Sequence, residues 1–144
     1  MAEIYYLNTD LDLVAARDFT PLAAALEAQG VCPLYGVTHG EGEHWYATFE
    51  TDHQYNTPEE TMAVMLDAIE SLSRTTRTLW TECSLREFNI GYVCGDHPWA
   101  FNHGLSNRTL VRAGTAGATL RITLYPPEKD SQDEPDNPAD EAGE

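Results

Sequence analysis

The most informative segment for the fold is residues 31–50, VCPLYGVTHGEGEHWYATFE, because its pattern predicts a β-hairpin. Two runs with β-favouring residues, Val31–Val37 and His44–Glu50, flank the turn residues Gly40-Glu41-Gly42-Glu43. Along the second run, every other residue belongs to one apolar face: Trp45, Ala47 and Phe49. The segment therefore predicts two paired strands with one buried face.

A helix is predicted on each side of this hairpin. The first begins at Thr20-Pro21, an N-cap followed by a proline, and ends at Gly30. The second begins at the capping box Thr57-Pro58-Glu59-Glu60 and runs over about residues 58–73. It carries an apolar stripe of Met62, Met65, Leu66, Ile69 and Leu72.

Further strands are predicted outside the two helices. One lies within residues 3–14, and a long one covers residues 78–93 with a bend near Ser84–Glu87. A short helix capped by Ser106 and a last strand over Leu120–Leu124 complete the domain. The order β-α-β-β-α-β, then α-β, predicts a ferredoxin-like α+β sandwich spanning residues 1–125, with an antiparallel sheet and helices on one face.

The sequence is strongly acidic. Its 24 Asp and Glu residues outnumber its 8 Lys and Arg residues, which gives a formal net charge of -16. Eight of the acids follow Pro127, where Lys129 is the single base and no large apolar residue occurs. Because such a segment buries too little apolar surface to offset the entropy lost on ordering, residues 126–144 are predicted to be a disordered acidic tail. The charge as a whole disfavours nucleic acid and anionic membranes and favours a basic protein partner.

Other sequence features exclude several classes of protein. No apolar run approaches the length of a membrane-spanning helix, and the N-terminus lacks the pattern of a secretory signal. Three cysteines without a CxxC pair indicate reduced thiols and a cytoplasmic protein. The Walker A loop, the dinucleotide-binding fingerprint and the Gly-x-Ser-x-Gly elbow are absent, so no cofactor and no catalytic residue is predicted.

The densest cluster of chemically active residues lies in the predicted loop 94–104. Its members are Cys94, Asp96, His97, Trp99, Phe101 and His103. Three interpretations remain open: a surface that binds a partner, a loop held to the core by its aromatic residues, or a metal or nucleophile site built on Cys94, His97 and His103. For the first interpretation we expect Asp96, His97, Trp99, Phe101 and His103 to contact the partner, together with Glu41 and Glu43 of the hairpin turn.

Residues 105–125, LSNRTLVRAGTAGATLRITLY, resemble the C-terminal end of a bacterial domain-of-unknown-function family. In that family a short helix, a turn of glycine and small residues and a final alternating strand close a small α+β domain. The resemblance implies the fold and no established activity, although some members are thought to be immunity proteins.

These observations predict a cytoplasmic protein-interaction module rather than an enzyme. Its expected partner is a basic protein, for which it would act as an inhibitor, an immunity partner or a mimic of nucleic acid. The alternative is a small metal-binding protein or enzyme that uses Cys94, His97 and His103. A third interpretation is a structural subunit that self-associates through one face of its sheet.

Overall fold

A computed structural model of the chain describes residues 2–127, which form an α+β fold of six strands and four α-helices. A single 3-10 turn, Glu41–Glu43, joins the third and fourth strands. The elements in chain order are β1 (Tyr5–Ala15), α1 (Thr20–Glu27), β2 (Val31–Pro33), β3 (Thr38–His39), β4 (Trp45–Thr51), α2 (Pro58–Glu70), α3 (Arg74–Glu82), β5 (Leu85–Val93), α4 (Asn107–Thr115) and β6 (Thr119–Tyr125). The part of the predicted acidic tail from residue 128 onward lies outside the described residues.

The strands form one mixed sheet in the order β2-β4-β1-β5-β6, with β3 pairing with β4. Neighbouring strands are antiparallel except for β5 and β6, which run parallel. The prediction of an antiparallel sheet is therefore wrong at this edge. The cause is the connection through α4, because a helical crossover returns the chain to the end of the sheet from which β5 started.

One face of the sheet is buried beneath the helices. In β1, Leu11 and Leu13 are buried, whereas Asp10 and Asp12 lie on the opposite face, as the two-residue period of a strand requires. The strand register places Leu11 beside Phe49 of β4 and Phe88 of β5, both fully buried. Each helix contributes side chains to this core cluster: Leu22, Met65, Leu79 and Ala113, respectively. Burying a Leu, Met or Phe side chain contributes about 1.5–3 kcal/mol, so this buried layer dominates the stability of the fold.

The capping signals place the starts of two helices correctly. The Thr57 hydroxyl accepts a hydrogen bond from the Glu60 N–H, which satisfies one of the unpaired donors at the start of α2. The Ser106 hydroxyl accepts one from the Thr109 N–H at the start of α4. In both helices the N-cap expected from the sequence is present.

The predicted strand over residues 78–93 is wrong in its first part, because residues 74–82 form α3. Threonine favours strands in an isolated sequence. Here the hydroxyls of Thr78 and Thr81 donate to the carbonyl oxygens one helical turn earlier, and the Ser73 hydroxyl caps the helix. Leu79 and Trp80 are buried against the core. Packing of this apolar pair therefore overrides the local preference for a strand.

The hairpin differs from the prediction in its first strand. β2 ends at Pro33, and the chain bends away from the sheet before β3 resumes the pairing with β4. The bend contains Gly36 in a left-handed conformation, with φ of 73°, and the side chain of Tyr35 is exposed. The expected strand over 31–37 is therefore split in two.

The cysteines form no disulfide. Cys83 is buried at the end of α3, and burial raises the pKa of its thiol to about 11. Cys83 therefore serves as a small apolar residue of the core. Among the described helices, none has the length and apolar character needed to cross a membrane.

Candidate functional site

The loop after β5 is attached to the beginning of the chain. The Asp96 N–H donates to the Ala2 carbonyl oxygen at 3.0 Å, and the Ile4 N–H donates to the His97 carbonyl oxygen at 2.8 Å. A Cβ atom on Gly95 would lie 2.5 Å from the Ala2 oxygen, so this close approach requires glycine. These contacts fix the loop 94–104 beside the start of β1.

A β-bulge at Leu7 orients the first member of an aromatic cluster. The register of β1 against β5 shifts between Tyr6 and Asn8. The Tyr6 hydroxyl lies 2.6 Å from the Thr9 hydroxyl and 2.8 Å from the Thr61 hydroxyl of α2. Burial raises the pKa of Tyr6, more than these hydrogen bonds lower it. The bulge therefore places Tyr6 on the helix-covered side of the sheet.

The aromatic cluster consists of Tyr6, Tyr92, Phe101 and His103. The ring centroids of Tyr6 and Tyr92 are 5.7 Å apart, and those of Phe101 and His103 are 4.9 Å apart. The Tyr92 hydroxyl is 3.2 Å from His103 Nδ1. Tilted and edge-on contacts at these separations are favourable, so the cluster holds the second half of the loop against the sheet.

A cavity of about 410 Å³ lies between the aromatic cluster and β6. Its apolar wall is formed by Ile4, Ile122 and Leu124, and Phe101 and His103 close one side. The residues that line it include no Asp, Glu, Lys or Arg. Its volume lies within the range of ligand-binding cavities, and its lining suits an apolar group.

The predicted contact residues of the loop fall into different environments. Phe101 and His103 line the cavity, and Asp96 and His97 provide the backbone contacts to the chain start. Trp99 is 98% exposed. The interpretation that aromatic residues hold the loop to the core is therefore correct for Phe101 and wrong for Trp99. As members of a binding surface, all five residues remain predictions.

Glu41 and Glu43 lie at the other end of the sheet. They precede β4, whose first residue, Trp45, pairs with Ala15 at the end of β1. The loop 94–104 lies before the first residue of β1, and an eleven-residue strand is roughly 30 Å long. The structure therefore does not bring the two groups of predicted contact residues together.

The predicted metal ligands do not converge either. Within residues 2–127 there is no group of three His, Cys, Asp or Glu side chains that could hold a metal ion. Cys94 and His103 line the same cavity, but His97 is not among the residues that line it.

The structure reveals a carboxylate pair that the sequence analysis missed. Asp10 of β1 and Glu50 of β4 lie side by side on the uncovered face of the sheet. Asn8 Nδ2 donates to Asp10 Oδ1 at 3.0 Å and to Glu50 Oε2 at 2.9 Å. Asp12 lies on the same face and accepts a hydrogen bond from the Thr48 hydroxyl at 2.7 Å.

The pKa of Asp10 lies near neutral pH. Burial raises the pKa of Asp10 from 3.8 to about 7, with further contributions from the charges of Glu50 and Asp12 and from a hydrogen bond to Glu50. The signal for this pair was present in the sequence, because Asp10 and Glu50 occupy polar positions of alternating strands. Only the register between β1 and β4 shows that they are neighbours.

Comparisons with protein-family models, with curated proteins and with solved structures find no match to this chain.

Proposed function

We propose that the chain is an acidic protein-interaction module that binds a basic protein, as an inhibitor, an immunity partner or a mimic of nucleic acid. The observation that carries this proposal is an uneven distribution of charge. Residues 2–60 contain eleven Asp and Glu residues and a single base, Arg17, whereas residues 61–127 contain five acids and six arginines. The entire net negative charge of residues 2–127 therefore belongs to residues 2–60.

In the sheet, the acidic residues lie on the side formed by β2, β3, β4 and β1. The sole base of this region, Arg17, is paired with Glu82 of α3. On the uncovered face of these strands, Asp10, Asp12 and Glu50 form an acidic centre, and the side chain of Tyr46 beside it is exposed. Asp12 and Glu50, which have no basic partner within hydrogen-bond distance among residues 2–127, lie beside an exposed tyrosine and suit a surface for a cationic partner, because aromatic residues are enriched at protein interfaces.

Three of the six arginines in residues 61–127 are engaged within their own part of the chain. Arg112 binds Asp67 and Glu70 of α2, Arg121 binds Glu87 of β5, and Arg86 donates to carbonyl oxygens around the end of α3. The ion pairs of Arg112 and Arg121 use carboxylates of residues 61–127, so they leave the acids of residues 2–60, the acidic half, available to a partner. Attraction of this kind accelerates the encounter and weakens as salt screens it.

The predicted contact residues remain part of the proposal. Glu41 and Glu43 belong to the acidic half and extend it beyond the hairpin end of the sheet. The five predicted contact residues of the loop lie at the opposite end and would contribute only if the partner spans the length of β1: Asp96, His97, Trp99, Phe101 and His103. The exposed side chain of Trp99 supports a role in contact rather than in the core.

Capture of partners from a lysate of the cells that produce the chain tests the proposal. The bait is used at low salt and at about 0.5 M NaCl, where screening acts within a few ångströms. We expect recovery of a basic protein at low salt and its loss at high salt. Glu41→Gln/Glu43→Gln should weaken capture more than the control Glu141→Gln/Glu144→Gln, which removes the same number of charges from residues 128–144 and breaks no contact within residues 2–127. Recovery of no basic protein at either salt concentration would contradict the proposal.

A metal-binding protein or enzyme that uses Cys94, His97 and His103 is the second candidate; Cys94 and His103 line one cavity, but residues 2–127 hold no group of three such side chains, so a bound metal would need a further ligand. Elemental analysis of the purified chain tests it. Stoichiometric zinc that is lost in His103→Ala would favour this candidate over the acidic module, whereas metal-free protein with both residues intact would remove it.

We also propose the finer fold assignment, a ferredoxin-like core extended by one α-β unit. Its support is the strand order β2-β4-β1-β5, in which all neighbours are antiparallel. The helix α1 connects β1 to β2, and the helices α2 and α3 connect β4 to β5. The likeness of residues 105–125 to a bacterial family with suspected immunity proteins remains part of this proposal.

A further inference from the structure

The sixth strand ends the sheet with an exposed apolar edge. On the helix-facing side, Leu120 is 41% exposed, Ile122 66% and Leu124 64%. The seven-residue strand pairs with β5 without a register shift, and among residues 2–127 nothing pairs with its other edge. Edge strands are usually protected by a bulge, a proline or an inward-pointing charge, and β6 contains none of these.

The unpaired backbone groups of this edge belong to the same three residues. In a parallel ladder both polar groups of one residue point to the same neighbour and those of the next residue point away. The Tyr125 carbonyl oxygen accepts from the Cys94 N–H, so Tyr125 and the alternate residues before it face β5. The N–H and C=O groups of Leu120, Ile122 and Leu124 therefore point outward.

The distribution of charge favours association of two copies through this edge over association through any other part of the sheet. The acidic half would repel its counterpart in a second copy. Along β6 the only charged residue is Arg121, which is neutralised by Glu87 at 2.7 Å. Residues 128–144 contain no large apolar side chain that could cover the leucine and isoleucine residues.

We infer that β6 is the interface of a homodimer in which the β6 strands of two copies pair antiparallel about Ile122. This register places Ile122 opposite Ile122 and Leu120 opposite Leu124 of the second copy. All the outward-pointing backbone groups are then paired, and the apolar side chains form one continuous stripe. Arg121 faces Thr123, so no like charges oppose each other.

The same pairing closes the cavity beside β6. Leu124 lines the cavity, and its cross-strand neighbour on the same face would be Leu120 of the second copy. The two Tyr125 residues lie at opposite ends of the strand pair, roughly 20 Å apart for strands of this length. The acidic segments that follow them would therefore start more than one screening length from each other.

Sedimentation equilibrium of the full chain tests the inference, from about 1 µM to about 500 µM, the range of weak to moderate association. We expect the mass to rise from 16.0 kDa toward twice that value. Ile122→Lys places like charges opposite each other and should weaken dimerisation about tenfold or more. The matched control is Val111→Lys on α4, which adds the same charge at a residue that is 65% exposed, and it should dimerise like the unmodified chain.

A second variant separates loss of pairing from loss of fold. Ile122→Pro removes an outward-pointing N–H and leaves the hydrogen bonds to β5 intact, so the far-ultraviolet circular dichroism should be retained while the dimer is lost. A chain that stays monomeric at all concentrations would overturn the inference. So would a dimer that tolerates both Ile122 variants, or one that Val111→Lys disrupts equally.

Discussion

Asp10→Asn should stabilise the protein, and increasingly so as the pH rises. The folded state raises the pKa of Asp10 from 3.8 to about 7, so the stability associated with its protonated form is complete below about pH 4 and is lost as the pH rises through 7. A pKa difference of this size corresponds to roughly 4 kcal/mol of unfolding free energy when solvent screening is left out. Because Asp10 is only half-buried, solvent screening reduces the expected gain above pH 7 to about 1–2 kcal/mol. Asparagine keeps an oxygen that accepts from Asn8 and adds a donor toward Glu50.

The measurement is urea unfolding followed by tryptophan fluorescence, from about pH 4 to about pH 9. The difference in unfolding free energy between Asp10→Asn and the unmodified chain should be near zero at the acidic end and reach its plateau above neutral pH. Glu41→Gln removes one charge from an exposed turn and controls for the effect of net charge. A difference that is the same at every pH, or a loss of stability above pH 7, would refute the reasoning.

Three further substitutions test the contacts that hold the helices and the loop. Trp80→Phe leaves the Ala116 carbonyl oxygen without its 2.8 Å donor, and thermal unfolding should show a loss of about 1–3 kcal/mol. Ser106→Ala removes the N-cap of α4 and should cost about 1 kcal/mol in urea unfolding; an unchanged midpoint would exclude a capping role. Gly95→Ala forces the loop away from Ala2, so hydrogen exchange at the Asp96 N–H should accelerate while that of the core strands is unchanged.

Much of the fold could be predicted because local signals agree with the packing. The cap at Thr57 and the apolar stripe from Met62 onward define α2, and the alternation around Phe49 defines β4. In these elements the propensity, the capping residue and the buried face all favour the same structure. α3 could not be predicted in this way, because its threonines favour a strand, and the helix depends on the Ser73 cap together with the burial of Leu79 and Trp80.

The direction of β6 and the carboxylate pair depend on long-range contacts. The alternation of Leu120, Ile122 and Leu124 predicts a strand but carries no information about whether its neighbour is parallel. Likewise, Asp10 and Glu50 are forty residues apart in the sequence and become neighbours only through the register of β1 and β4. The loop residues Phe101 and His103 were identified from their chemistry, but their contact with Tyr92 also required the tertiary structure.

Within residues 2–127, the separation of charge between the acidic half and residues 61–127 gives the fold an electric dipole. In an electric field, or near a cationic matrix, such a molecule rotates until its anionic end faces the positive charge. In a chain that ends at Pro127, an anion-exchange resin would therefore hold the β1–β4 end and leave the β6 edge directed toward the mobile phase. Chemical labelling of this adsorbed chain would modify one end selectively, whereas the full chain, in which eight acids follow β6, would be held through both ends.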